Sequence, residues 1–131
     1  MMRGTTDTDV REAGRRSRAL LAIFWIGAGV NHFANSRFYE HIVPPPLQDN
    51  AKLVVQASGV AEIAGGVAVL VPGVRRLSGV YLIGLLAAIF PANLYMAREP
   101  ERFKQVPPWA LYARLPLQPL AMLWAWKATR R

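Results

Sequence analysis

Four apolar blocks, each close to the length that crosses a bilayer, occupy most of this chain: residues 19–35, 53–71, 77–97 and 109–127. About 20 mainly apolar residues in an α-helix span a hydrocarbon core roughly 30 Å thick, and a helix satisfies its own backbone there. The first block reads ALLAIFWIGAGVNHFAN and the third LSGVYLIGLLAAIFPANLYMA. The fourth, WALYARLPLQPLAMLWAWK, departs furthest from the pattern because it holds Arg114, Gln118 and two prolines. A soluble helical bundle would show a broad charged face on each helix, and the second and third blocks show none. The expected fold is all-α: an integral membrane bundle of four transmembrane helices over residues 19–127. A disordered basic tail is expected at 1–18 and a short tail at 128–131. Three prolines at 44–46 stop any helix that precedes them, and a short interfacial helix is expected near residues 37–43. The basic leader before the first block resembles a secretory signal, but GVNHFANS offers no small-x-small cleavage site, so the first helix is expected to be retained.

Charge sets the expected topology. The formal net charge is +8 among 131 residues, yet no basic patch interleaved with aromatics appears outside the tails, which excludes a nucleic-acid partner. With four crossings, Arg3, Arg11, Arg15, Arg16, Arg18, Arg75, Arg76, Lys127, Arg130 and Arg131 fall on one side. Arg37, Lys52, Arg98, Arg102 and Lys104 fall on the other, offset by Glu40, Asp49, Glu99 and Glu101. The positive-inside rule then places both termini in the cytoplasm, in a multi-pass membrane protein whose first partner is the lipid bilayer. Trp109 stands at the outer boundary and Trp124 and Trp126 at the inner one, as interfacial aromatics do. The chain has no cysteine, so thiol exchange, thiolate metal sites and iron–sulfur ligation are excluded. The spans contain a single histidine, so haem held between two helices is not expected, and no metal-site spacing or nucleophile motif occurs.

The remaining polar residues share one depth. A helix rises 1.5 Å per residue, which places Glu62 and Gln118 roughly 13 Å below the outer boundary and Arg114 roughly 7 Å below it. Asn31 and His32 end the first helix there, Gln56 begins the second, and Asn93 lies about a turn from the end of the third. All seven are expected in the outer half, with Arg114 and Gln118 on one helix face. A charge at the bilayer centre costs about 2.5–3.5 kcal/mol on insertion scales. Glu62 is therefore expected either to pair with Arg114 or to be protonated. The cluster reads equally as glue between helices and as a ligand or proton site, with no catalytic residue assigned. Small residues around Glu62 (Ser58, Gly59, Gly65, Gly66) and Gly27 and Gly29 on the first helix would let helices approach closely.

Five strings occur in order: NHF at 31–33, YEHIVPPPL at 39–47, SGVAEIAGG at 58–66, FPANLYMA at 90–97 and RLPLQPL at 114–120. Together they resemble the DoxX-like family of small bacterial four-helix membrane proteins. That resemblance implies a four-helix bundle with recurrent polar positions at Asn31, His32, Glu62, Asn93, Arg114 and Gln118. It also implies a link to quinone-reducing redox systems, with a membrane redox enzyme or another membrane protein as partner. Three functions follow as expectations. A quinone head group or other small amphiphile binds the polar pocket; or the chain is a non-catalytic accessory or assembly subunit; or it is a small proton-coupled exporter.

Overall fold

The structure, a computed structural model, describes residues 6–103 and 106–130. It is all-helical, as the sequence predicts. Helix α1 spans Asp7–Ala34, α2 Ser36–Ile42, α3 Ala51–Val69, α4 Arg75–Arg98 and α5 Pro108–Arg130. Short 3-10 turns at Pro45–Asn50 and Pro100–Arg102 join α2 to α3 and follow α4. The four long helices coincide with the four apolar blocks, and α2 is the short helix expected near residues 37–43.

The expected disordered tail is helical from Asp7 onward. A reciprocal capping box starts the helix: Asp9 N donates to Thr6 Oγ1 and Thr6 N to Asp9 Oδ2, both at 3.2 Å. Asp7 and Asp9 sit in the first turn, where carboxylates oppose the helix dipole, and Arg11 pairs with Asp7 one turn on at 3.0 Å. The polar run lacks apolar residues to bury, but it has all the local signals a helix start requires. At the other terminus α5 runs through 128–130, expected as tail. Residues 1–5, including Arg3, and Lys104 and Arg131 lie outside the described residues.

Two stretches among the described residues, Pro45–Val69 and Arg75–Arg98, are long and apolar enough to cross a membrane. The expected count was four. Helix α1 has arginines in its first half and Asn31 and His32 in its last turn, and α5 carries Arg114, Gln118 and two internal prolines, so their apolar runs are interrupted.

The helices pack as two close pairs, α1 against α3 and α4 against α5. Glycine makes the first pair close. A Cβ on Gly29 would stand 2.6 Å from the Gly59 carbonyl oxygen, and one on Gly66 would stand 3.1 Å from the Ala22 carbonyl. In the second pair Gly79 faces the Thr129 side chain, whose hydroxyl turns back to the Ala125 carbonyl at 2.7 Å. Two apolar clusters join the pairs. At the end holding the chain termini, Leu21, Trp25, Val69, Leu82, Leu86, Ala125 and Ala128 interlock. At the α2 end, Ile42, Met96, Phe103 and Leu111 do so, beneath Phe38, Tyr39 and Tyr95. Between these clusters the pairs part.

Candidate functional site

The space between the clusters is a cavity of about 470 Å³ to which all five helices contribute. That volume lies in the range of roughly 300–1,000 Å³ usual for small-molecule sites. Its wall is mostly apolar: Phe24, Trp25 and Ala28 from α1, Val54 and Val55 from α3, Leu86 and Ile89 from α4, Leu117 and Ala121 from α5. Tyr39, Ile42 and Val43 close the α2 end. Phe24 and Leu117 are half exposed, at 51% and 57%. Near the termini α1 and α5 meet, with Trp124 Nε1 donating to Ser17 Oγ at 3.0 Å. Phe24 and Leu117, which line the cavity and are half exposed, therefore form an apolar rim to it on the side of α1 and α5.

Five of the seven sequence-predicted site residues line this cavity: His32, Glu62, Asn93, Arg114 and Gln118. The other two do not. Asn31 is exposed at the end of α1, where its Nδ2 donates to Tyr39 Oη at 2.7 Å and its Oδ1 accepts from Asn35. Gln56 is exposed on α3. Depth alone grouped these two with the rest; their helix faces point away.

Glu62 pairs differently from expectation. Its partner is His32 rather than Arg114: His32 Nε2 lies 3.0 Å from Glu62 Oε2, with side chains only 10% and 4% exposed. His32 Nδ1 meets the Ala28 carbonyl at 2.7 Å, where only an N–H can face the oxygen. Nε2 thus carries a proton only when the ring is cationic, and two bare lone pairs at 3.0 Å would repel. One proton on either side chain, imidazole or carboxyl, relieves that repulsion and leaves the pair neutral overall. The contact has the distance of an ion pair without the alignment of a ring N–H bond, which leaves Oε2 buried with no directed donor. Ser58 Oγ stands 3.5 Å from Nε2, and Tyr39 stacks on the imidazole with ring centroids 3.9 Å apart. Tyr39, at the start of YEHIVPPPL, was missed as a site residue: only the reversal at Asn35 folds α2 back over α1.

On the facing wall, Asn93 Nδ2 donates to Gln118 Oε1 at 3.0 Å, and Gln118 Nε2 donates to the Leu86 carbonyl. Pro91, inside α4, has no N–H for the Ala87 carbonyl and crowds that turn, and Gln118 adds a donor from α5 at the neighbouring Leu86 carbonyl. Gln118→Leu would remove both bonds and leave Asn93 Nδ2 without its acceptor, and it is expected to destabilise the bundle by about 1–3 kcal/mol, read from its equilibrium unfolding midpoint. Arg114, half-buried, donates to Met96 Sδ at 3.2 Å, a weak acceptor, and no carboxylate pairs with it among the described residues. The described residues hold no cluster of metal-ligating side chains.

Comparison with known proteins corrects the family expectation. No curated protein and no solved structure matches the chain. One family model matches residues 21–129, from the start of the apolar part of α1 almost to the end of α5, and it is not DoxX. The strings that carried the resemblance combine small residues at helix contacts, prolines at turns and isolated polar residues in apolar helices. Any close-packed bundle of this kind uses those features. The chain belongs to the family described as Domain of unknown function (DUF8561).

Proposed function

We propose that this protein crosses a membrane four times and binds a small amphiphile in the cavity between its helix pairs. The observation that carries the reading is where the charges fall. Within the apolar blocks of the four long helices, residues 19–34, 53–69, 77–97 and 109–126, the Asp, Glu, Lys and Arg side chains number two, Glu62 and Arg114, and both line the cavity. Intramembrane ionisable residues mark functional sites by default. The exterior supports four crossings: Ile23, Leu53, Leu77 and Leu120, one on each long helix, are 60–69% exposed, and exposed apolar side chains gathered on every long helix mark a surface that meets lipid or protein. The charge asymmetry of the loops favours both termini in the cytoplasm. The cavity then lies in the outer half, and its apolar rim at Phe24 and Leu117 faces lipid. An amphiphile reaches such a site by lateral diffusion, tail along Trp25, Leu86 and Ala121 and head group at Glu62. A quinol fits this description as one such ligand. The exporter reading is weaker, because Arg114 in the same cavity repels a cationic substrate.

The test is mass spectrometry of small molecules that co-purify with the protein in mild detergent, wild type beside Glu62→Gln, with thermal unfolding as the control. An amphiphile retained stoichiometrically by wild type and lost from a folded Glu62→Gln variant is the expected result. An empty wild type would leave the accessory-subunit reading in its place. The topology has its own test, made simple by the lack of native cysteine. Single cysteines at Asp49 and at Arg76 are expected to react with a membrane-impermeant maleimide from opposite sides; labelling from the same side would refute four crossings.

A further inference from the structure

The charge balance of the cavity goes beyond the size and shape of its ligand. The titratable side chains that face it are His32 from α1, Tyr39 from α2, Glu62 from α3 and Arg114 from α5. The 3.0 Å contact of His32 with Glu62 favours one proton on imidazole or carboxyl, and in that state the pair contributes no net charge. Tyrosine is neutral at physiological pH. A guanidinium is a cation, so with that pair neutral Arg114 gives the cavity as a whole one positive charge.

That charge has no carboxylate partner among the described residues. A guanidinium offers five N–H donors in a fixed fork, and Arg114 spends one on the thioether of Met96 at 3.2 Å. Its surroundings are the apolar α2-end cluster below Met96 and Leu111 and the amides of Asn93 and Gln118. Gln118 Nε2 is already committed to the Leu86 carbonyl and Asn93 Nδ2 to Gln118. Neither amide supplies a charge to offset the arginine. A half-buried guanidinium without an anion is costly, and a forked pair with a carboxylate or phosphate is the arrangement it favours. Opposite it, Oε2 of Glu62 is a buried acceptor with no directed donor.

We infer that the ligand is an anionic amphiphile, a chain with a carboxylate or phosphate head seated on Arg114 and a hydroxyl or acid proton turned to Glu62. The inference rests on the amphiphile-binding reading above and adds the sign of the head group. Tail selection is loose, since the wall is apolar and its rim half exposed. Head-group selection is strict, since it depends on one guanidinium.

The experiment titrates the full-length protein, freed of co-purified molecules in a neutral detergent, with four probes of equal chain length. These are laurate, dodecyl phosphate, dodecanol and dodecyltrimethylammonium, with bound probe counted by native mass spectrometry. A charge-assisted bond is worth about 1.5–3 kcal/mol, so the better anion is expected to bind roughly 10- to 100-fold more tightly than dodecanol. Arg114→Gln should erase that difference and Arg114→Lys restore part of it, because lysine keeps the charge and loses the fork. Laurate exceeding dodecyl phosphate would assign a fatty-acid-like ligand, and the reverse a phospholipid-like one; either supports the proposal. Dodecanol equal to both anions would overturn the anionic head while leaving amphiphile binding intact. Tightest binding of the cationic probe would overturn it as well. No binding of any probe would remove both.

Discussion

Gly29→Ala is expected to be the most damaging single-methyl change in this protein, and Gly27→Ala, two residues away, to be harmless. A Cβ at position 29 would meet the Gly59 carbonyl oxygen and Ile63 Cγ1 at 2.6 Å each, and Ile63 N at 3.0 Å. Two of those three atoms are backbone of the facing helix, so no rotamer change relieves the clash. The helices α1 and α3 must move apart, and this pair is the most extensive helix contact in the fold. Overpacking costs typically 1–3 kcal/mol, and separation of α1 from α3 would also disturb His32 and Glu62, which face each other across the same seam one turn away. Nothing lies within 4 Å of a Cβ on Gly27. Alanine there removes a glycine from a helix interior, a change worth up to about 1 kcal/mol in the stabilising direction. Equilibrium unfolding of the two variants in mixed micelles checks the contrast. Equal midpoints would mean that α1 and α3 do not pack through Gly29.

Much of the helix layout could be read in advance because it depends on local chemistry. Four apolar blocks bounded by PPP, PGVRR and REPERF mark four long helices, and prolines fix the stops. The start of α1 was misjudged for an instructive reason. Apolar periodicity was the criterion for order, whereas Thr6, Asp7 and Asp9 stabilise a helix start through capping and dipole terms that hydropathy does not register. The site was legible by depth and only partly by direction. Rise per residue put seven polar side chains at one level; it could not say that Gln56 and Asn31 face outward. The partner of Glu62 was hidden for a similar reason. Charge complementarity favours arginine over histidine, but the Gly29–Gly59 contact draws α1 onto α3 and brings His32 to Glu62, leaving Arg114 across the cavity. Tight packing, not charge, chose the pair. The family assignment failed on a different scale: five short strings report how such helices pack and carry little about descent.

Glu62→Ala should cost far more stability than Glu62→Gln, and the difference measures what His32 requires. Removing one member of a buried pair typically costs about 3–5 kcal/mol, because the other is left without a counter-group in a site that excludes water. Alanine at 62 leaves His32 Nε2 facing empty space, with Ser58 Oγ at 3.5 Å as its nearest polar neighbour. Glutamine restores a partner. Its amide N–H can donate to Nε2 of a neutral imidazole whose Nδ1–H stays bound to the Ala28 carbonyl, so the expected loss falls to about 1 kcal/mol, the scale of one ordinary hydrogen bond. The corresponding cycle with His32→Ala isolates the coupling: in the double variant neither group is stranded, and the loss should be smaller than the sum of the singles. Additive losses would mean that the two side chains, 3.0 Å apart, share no proton. The same variants separate fold from function. Glu62→Gln keeps the bundle closed but presents an amide where the proposed ligand would meet a carboxyl oxygen, so under the amphiphile-binding proposal a folded variant that retains no amphiphile is the expected outcome. A variant that unfolds with the alanine form's midpoint would instead assign the whole effect of Glu62 to holding α1 against α3.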